Sequence, residues 1–244
     1  MRGLHAVRLA AQCRAAGSLM RVFDSLRSGT LCSLIPDSAP DTPTLLMDAA
    51  EALFAERGID HVSMREIVRA SGQKNLSAAH YHFGSRESLV VAVLERRLRD
   101  IDRGRHARLD RLEASGLAHD LHELTHACIA ELCDTVADAP WGAQHVLVAS
   151  QAMLNPKWTY EAVVDPACFS AMTRLEGMAR YLAPSMPDSC YLLRMRMLQD
   201  QILHVVARWV HRHGAVTAEN AVQYRYMVKH LTAFVTAGLG AQFG

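Results

Sequence analysis

The sequence predicts an all-α fold, and three observations predict it. Apolar residues recur at three- and four-residue spacing through most of the chain from Thr42 onward, and no stretch alternates apolar and polar as a half-buried strand does. Residues that cap helices, such as Ser63 and Ser85, stand just ahead of those stripes, and glycine or proline stands just after them. Of the 244 residues 50% are hydrophobic but only 6% aromatic, which suits helices packed on helices with length enough for a real core.

Residues 1–41 carry five arginines (2, 8, 14, 21 and 27), few acids and a loop-like end. They lack the clean apolar segment of a secretory signal. A flexible basic arm, a leader from an unused upstream start codon and a partly helical extension are all open readings; a mostly disordered segment is the one preferred. Thr42-Pro43 then marks a helix start with proline at its first position. LLMDAAEALFAERG follows, with Leu46, Ala49, Ala50, Leu53 and Phe54 on one face and Gly58 as its end.

Ser63 with Glu66 three residues later is a capping box, so a helix begins at Met64. Met64, Ile67, Val68 and Ala70 form its apolar stripe, and Gly72 supplies the left-handed residue that stops it. Gln73, Lys74 and Asn75 make a polar turn into a second short helix over 76–83, which Gly84 ends. Ser85 caps a third, longer helix bearing Leu89, Val90, Val93 and Leu94. Two short helices across a tight turn make a helix-turn-helix, whose second helix fits the DNA major groove. Ser77, Ala78 and Ala79 are small enough for close approach, His80, Tyr81 and His82 offer hydrogen bonds, and Lys74 and Arg86 bracket the helix with charge suited to phosphates.

The run DAAEALFAERGIDHVSMREIVRASG and then YHFGSRESLVVAVLERR closely resembles the amino-terminal domain of TetR/AcrR-family transcriptional regulators, over residues 42–100. The usual family pattern has one residue fewer between glycine and the aromatic-His-Phe signature. GQKNLSAAHYHFGSRESL looks like a variety with a Gln-basic-Asn turn. The resemblance implies that Arg65 reaches a phosphate or groove edge, and that Lys74, Asn75, Ser77 and Ala78 enter the major groove. It implies that Tyr81 and His82 clamp the backbone and that Arg86 holds a phosphate beside the next helix. Ile67 and Phe83 are expected in the core.

Charge is almost balanced. The chain carries a formal +1, and within 42–105 ten Lys/Arg face nine Asp/Glu, so any electrostatic footprint comes from placement. Six scattered cysteines without a CxxC pair read as reduced thiols of a cytoplasmic protein. No apolar run approaches the ~18 residues of a membrane span.

Beyond the third helix, ERRLRDIDRGRHARLDRLEA reads as a charged connector helix with Gly104 and Gly116 as possible bends or ends. Helices are expected near 118–137, 141–153, 167–182, 189–213 and 217–238, punctuated by Pro140, Asn155-Pro156, Pro166, Pro184, Pro187 and Gly214. The last two carry broad apolar faces: Leu192, Met195, Leu198, Ile202, Val205, Val206 and Trp209, then Tyr224, Met227, Val228, Leu231, Phe234 and Val235. The resemblance implies a four-helix homodimer interface there; filling of the monomer's own core is the competing use.

One competing motif is HELTH at 122–126, the HExxH of zinc hydrolases, with His119 as a third ligand on a similar face. Thirteen histidines make a chance match easier, no downstream ligand motif follows, and the segment falls in the expected effector domain. No metal site, no cofactor and no catalysis is therefore expected. The resemblance implies residues 101–244 as a ligand-binding and dimerisation domain, with Met153, Trp158, Tyr160, Phe169, Met172 and Met178 as candidate walls of an effector pocket. The expected partners are a second copy of the chain, a palindromic double-stranded operator and an unidentified small-molecule effector, and no membrane. Function is expected to be that of a repressor released by its ligand; a DNA-binding regulator without a small-molecule effector, governed by a partner or by redox state, is the alternative.

Overall fold

Side-chain caps set the starts of four helices in the computed structural model, which describes residues 41–155, 157 and 164–241. The expectation for residues 1–41 falls, but for Asp41, outside the described residues, as do the candidates Trp158 and Tyr160. Among the described residues there are nine α-helices and no strand. They are α1 (Thr42–Arg57), α2 (Met64–Ala70), α3 (Leu76–Phe83), α4 (Arg86–Ala114), α5 (Leu121–Asp138), α6 (Gly142–Leu154), α7 (Ser170–Leu182), α8 (Asp188–His213) and α9 (Ala221–Gly240).

The capping box forms as the sequence predicts: Ser63 N–H donates to Glu66 Oε2 at 2.8 Å, and Glu66 N–H donates to Ser63 Oγ at 3.3 Å. Gly72 closes α2 at φ 74°, a conformation that favours glycine. Ser85 Oγ accepts from Ser88 N–H to start α4. Asp120 accepts from the backbone of His122 and Glu123. That cap explains why α5 begins three residues later than expected, behind a 3-10 turn at Leu117–His119. Helix α9 also starts later than expected, behind a turn in which Thr217 N–H donates to Asn220 Oδ1 at 2.8 Å.

Gly104 does not bend the connector. Helix α4 runs unbroken for 29 residues, and Gly104 instead lets α5 approach, since a Cβ there would collide with the Glu131 carboxylate.

Two hydrophobic cores result. The first joins Leu46, Ala50 and Phe54 of α1, Ile67 and Val68 of α2, Ala79 of α3 and Leu89, Val90, Val93 and Leu94 of α4. It continues into Val148, Ala149 and Ala152 of α6, so the head is welded to a body helix. Full burial of each large aliphatic is worth about 1.5–3 kcal/mol. The second core lies among α4, α5, α7, α8 and α9, around Ile101, Leu109, Leu124, Ile129, Val206 and Val235. Met195, Leu198, Ile202, Val206 and Trp209 of α8 and Tyr224, Leu231 and Val235 of α9 all fill it. Leu192 and Phe234, expected on the same faces, are exposed, as are Leu193, Met197, Val222 and Tyr226. Both uses weighed for these helices thus have residues to serve them. No described helix is long and apolar enough to cross a membrane.

Candidate nucleic-acid interface and helical cavity

Helix α3 has eight residues, too few to be stable alone, and Ala79 is its only fully buried side chain. Leu76 and Phe83 add partly buried contacts to the head core, where Ile67 also lies fully buried, as expected. The opposite edge faces outward. Arg65, Lys74, Asn75, Ser77, His80, Tyr81 and His82 are exposed and Ala78 is half-buried. Tyr81 is 86% exposed, far more than a tyrosine with an apolar ring needs to be. Its ring meets His82 edge-on at 5.3 Å. The helix carries no carboxylate, so nothing along that edge repels a phosphate.

Two of the expected DNA contacts are engaged within the protein. Asn75 caps α3, its Oδ1 accepting from Ser77 N–H at 2.8 Å, so the carbonyl end of its amide is committed to folding. Asparagine just ahead of a helix was the available signal. Arg86 also has partners inside the protein. Its Nε donates to Val62 O at 2.6 Å, its Nη2 donates to Ile59 O, and its guanidinium lies 5.8 Å over the Phe54 ring. Only 19% of the side chain is exposed. It ties the α1–α2 connection to the start of α4, because the carbonyls of Ile59 and Val62 lie within its reach.

Beneath the head lies a cluster of charges. Glu51 on α1 is 1% exposed, and accepts from Arg97 Nη2 at 2.7 Å, Arg97 Nε at 2.9 Å and Arg96 Nη2 at 3.3 Å. Asp48, half exposed, takes the outer bonds of both arginines. Arg97 also lies 4.4 Å over the Trp141 ring. Burial pushes the Glu51 carboxyl up, against the pull of Arg97 and Arg96. His145 on α6 brings its Nδ1 to 3.8 Å from Glu51 Oε1. Burial, reinforced by Arg97, Arg105 and Arg96, drives its pKa down to about 3, so it is neutral at physiological pH. Farther along α6, Gln151 Oε1 accepts from Ile59 N–H at 2.9 Å, and its Nε2 donates to Phe54 O at 3.3 Å. Asn155 Nδ2 donates to Asp60 at 2.6 Å. Helix α6 therefore grips both ends of the α1–α2 connection.

The same helix forms a wall of a cavity of about 250 Å³ in the body. Met153, Phe169 and Met172 line it, as three of the six candidates. Met178 does not; it packs half-buried against the second core. The sequence reading missed Arg105, His145, Glu176 and Gln199 on the wall. Arg105 falls on the apolar stripe of Leu98, Ile101 and Leu109, and His145 on that of Gly142, Val146 and Ala149. A polar residue in an apolar stripe was the signal.

His122 and His126 stack with ring centroids 6.5 Å apart on the exposed side of α5, beside an open groove between α5 and α9. Among the described residues no group of three His, Cys, Asp or Glu stands where it could hold a metal ion. Burial raises the thiols of Cys128, Cys133 and Cys168, Cys133 to about 12. They stay protonated and slow to oxidise.

Comparisons with known proteins agree with this arrangement. A family model, bacterial regulatory proteins of the tetR family, matches residues 46–93. The HTH-type transcriptional repressor KstR2 of Rhodococcus jostii (strain RHA1) is 37% identical over 208 residues, spanning 80% of this chain and 96% of that protein. Among solved structures, a TetR-family transcription regulator from Shewanella sp. PV-4 aligns with TM-score 0.59 at 17% identity, covering 80% of this chain and 96% of that one. The transcriptional regulator FadR from Bacillus subtilis, in complex with stearoyl-CoA, aligns with TM-score 0.52 at 13% identity, covering 80% and 97%. These two share the fold. The repressor's identity extends far beyond the helix-turn-helix, and with the family match it settles the kinship: this chain belongs to the TetR family of bacterial regulatory proteins, transcriptional regulators that bind DNA.

Proposed function

We propose that the chain is a homodimeric repressor whose two α3 helices read the half-sites of a palindromic operator and which an effector in the α4–α8 cavity releases. The exposed, carboxylate-free edge of α3 carries the DNA reading. Lys74 and Arg65 neutralise phosphates, Ser77 and Ala78 face base edges with the free amide of Asn75, and Tyr81 and His82 clamp the backbone. The turn Gln73–Lys74–Asn75 marks the variety within the family. Residues 42–100 serve the DNA and 101–244 serve the effector and the partner copy.

Pairing is supported by the exposed Leu193 and Met197 of α8 and Tyr226 and Phe234 of α9. These are large apolar groups that solvent disfavours. Twofold symmetry then sets two short reading helices about 34 Å apart, one turn of the duplex. Effector release works as a population shift: the ligand favours the dimer geometry that misses successive grooves.

The test is a gel shift of the full chain on DNA from upstream of its own coding sequence. Lys74→Ala lowers affinity for all sequences alike and reduces the log–log salt slope by about 1. Ser77→Ala changes the order of preference among operator variants. Equal loss on every sequence from Ser77→Ala removes α3 from the groove.

A further inference from the structure

The cavity wall holds one cation without a counter-ion. Arg105 rises from α4 into a lining that is otherwise mostly apolar, made by Leu98, Ile101, Phe169, Met172 and Ile202 among others. Its Nε is wholly buried and has no hydrogen-bond partner, and no ion pair to it forms among the described residues. Its neighbours on α4 behave differently. Arg108 is held by Glu131 and Asp134, both at 2.6 Å, and Arg97 by Glu51. The carboxylate that shares the wall with Arg105, Glu176, is occupied by Gln199, whose Nε2 donates to its Oε1 at 2.8 Å. A buried guanidinium donor left unpaired costs free energy that a bound acceptor recovers, most of all a charged one.

We infer that the effector is a compact carboxylic acid with an apolar body, its carboxylate taken by Arg105 and its body by the methionine and phenylalanine wall. This rests on the reading of the cavity as the effector site, and it names the chemical class. The size follows from the volume. A dry cavity of about 150 Å³ takes benzene, so at ~25 Å³ for each non-hydrogen atom the cavity of about 250 Å³ holds roughly ten of them. That is a medium-chain or single-ring acid, and a long acyl chain overfills it. His145 lines the same cavity and stands 3.8 Å from Glu51 of the head, so occupancy is felt where α1 is fixed.

The experiment measures binding to the full chain without DNA, by calorimetry. It uses hexanoate, octanoate, 3-phenylpropionate and palmitate against the matching primary amides. Octanoate and 3-phenylpropionate bind at least tenfold tighter than their amides, and palmitate gains nothing over octanoate. Arg105→Met erases the acid–amide difference while leaving amide binding in place, Arg105→Lys keeps most of it, and Glu176→Gln tightens the acids by a few fold. The apo Arg105→Met protein melts no lower than wild type, since the cation it removes has no partner. Equal affinity of acids and amides overturns the inference. So do discrimination that survives Arg105→Met, an Arg105→Met protein that unfolds, palmitate as the tightest ligand, or no acid binding up to 10 mM (roughly the weakest affinity that matters). Acid binding that fails to release operator DNA instead refutes the cavity as effector site and leaves the ligand class standing.

Discussion

Replacing Glu51 with glutamine tests whether the buried charge cluster between α1 and α4 holds the DNA-reading head together. The substitution keeps the side chain's size, so no cavity opens, and removes one charge that is 1% exposed. Arg97, with 12% of its side chain exposed, and Arg96, with 20%, are left facing a neutral amide. Breaking a buried pair from one side costs about 3–5 kcal/mol. Asp48 still takes a bond from each arginine and Trp141 still covers Arg97, so the lower end, about 3 kcal/mol, is expected. Asp48→Asn is the control. It touches the same two arginines, but its side chain is 50% exposed, and screened pairs contribute roughly 0–1 kcal/mol. The assay is urea unfolding at pH 7 and fixed protein concentration, because dimers gain stability with concentration. With an m-value of roughly 2–3 kcal/mol per molar, the midpoint falls by about 1 M for Glu51→Gln and by at most about 0.4 M for Asp48→Asn. Equal shifts for the two variants refute the claim that burial makes this cluster matter.

Asn75→Ala removes the α3 cap, worth about 1 kcal/mol, and weakens operator binding, whereas Asn75→Asp keeps the cap and weakens binding only through its charge; circular dichroism of the two variants separates the effects. Arg86→Lys loses the two-carbonyl tie and lowers stability by about 1–2 kcal/mol with an unchanged salt slope, measured by urea melts and by gel shifts across salt; a slope reduced by about 1 restores Arg86 as a phosphate contact. His145 is held neutral by burial and by Arg97, Arg105 and Arg96, with Glu51 as its acidic neighbour. Its pKa of about 3 lies below the usual 6.5, so its contribution is complete above pH 6.5 and is lost as pH falls toward 3. Wild type therefore loses about 2 kcal/mol more than His145→Leu between pH 7 and pH 5, as read by melting curves; parallel curves refute it. Phe234→Glu places a charge on the exposed apolar face of α9 and converts the proposed dimer to a monomer by light scattering, with loss of operator binding; an unchanged mass moves the interface elsewhere.

Local signals explain why so much of the head was legible. The Ser63–Glu66 box, Gly72 and Gly84 each act within one helical turn, so their meaning is written beside them. The internal tie of Arg86 was not legible because its partners, Ile59 and Val62, lie more than twenty residues away and only the fold brings their carbonyls to it. The cavity was half legible for a related reason. Met153, Phe169 and Met172 stand out by type, whereas Arg105, His145, Glu176 and Gln199 converge from four helices that no local pattern relates. The starts of α5 and α9 moved for a simpler cause: a cap at Asp120 and a turn at Thr217–Asn220 displaced boundaries that periodicity alone leaves loose.

Helix α4 joins these two places without a break, and that continuity has a mechanical consequence. Arg105 in the cavity and Arg86 at the head lie nineteen residues apart on one rigid rod, about 28 Å at 1.5 Å per residue. Tilting the rod by about 5° around the cavity sweeps its far end through roughly 2.5 Å, and in a twofold pair the reading heads part or close by about double that. Against a groove about 12 Å wide, such a displacement takes both heads out of step with the duplex. On the proposed reading of the cavity, a lever this long lets a ligand of a few atoms, moving its surroundings by a fraction of an ångström, decide whether a gene is read.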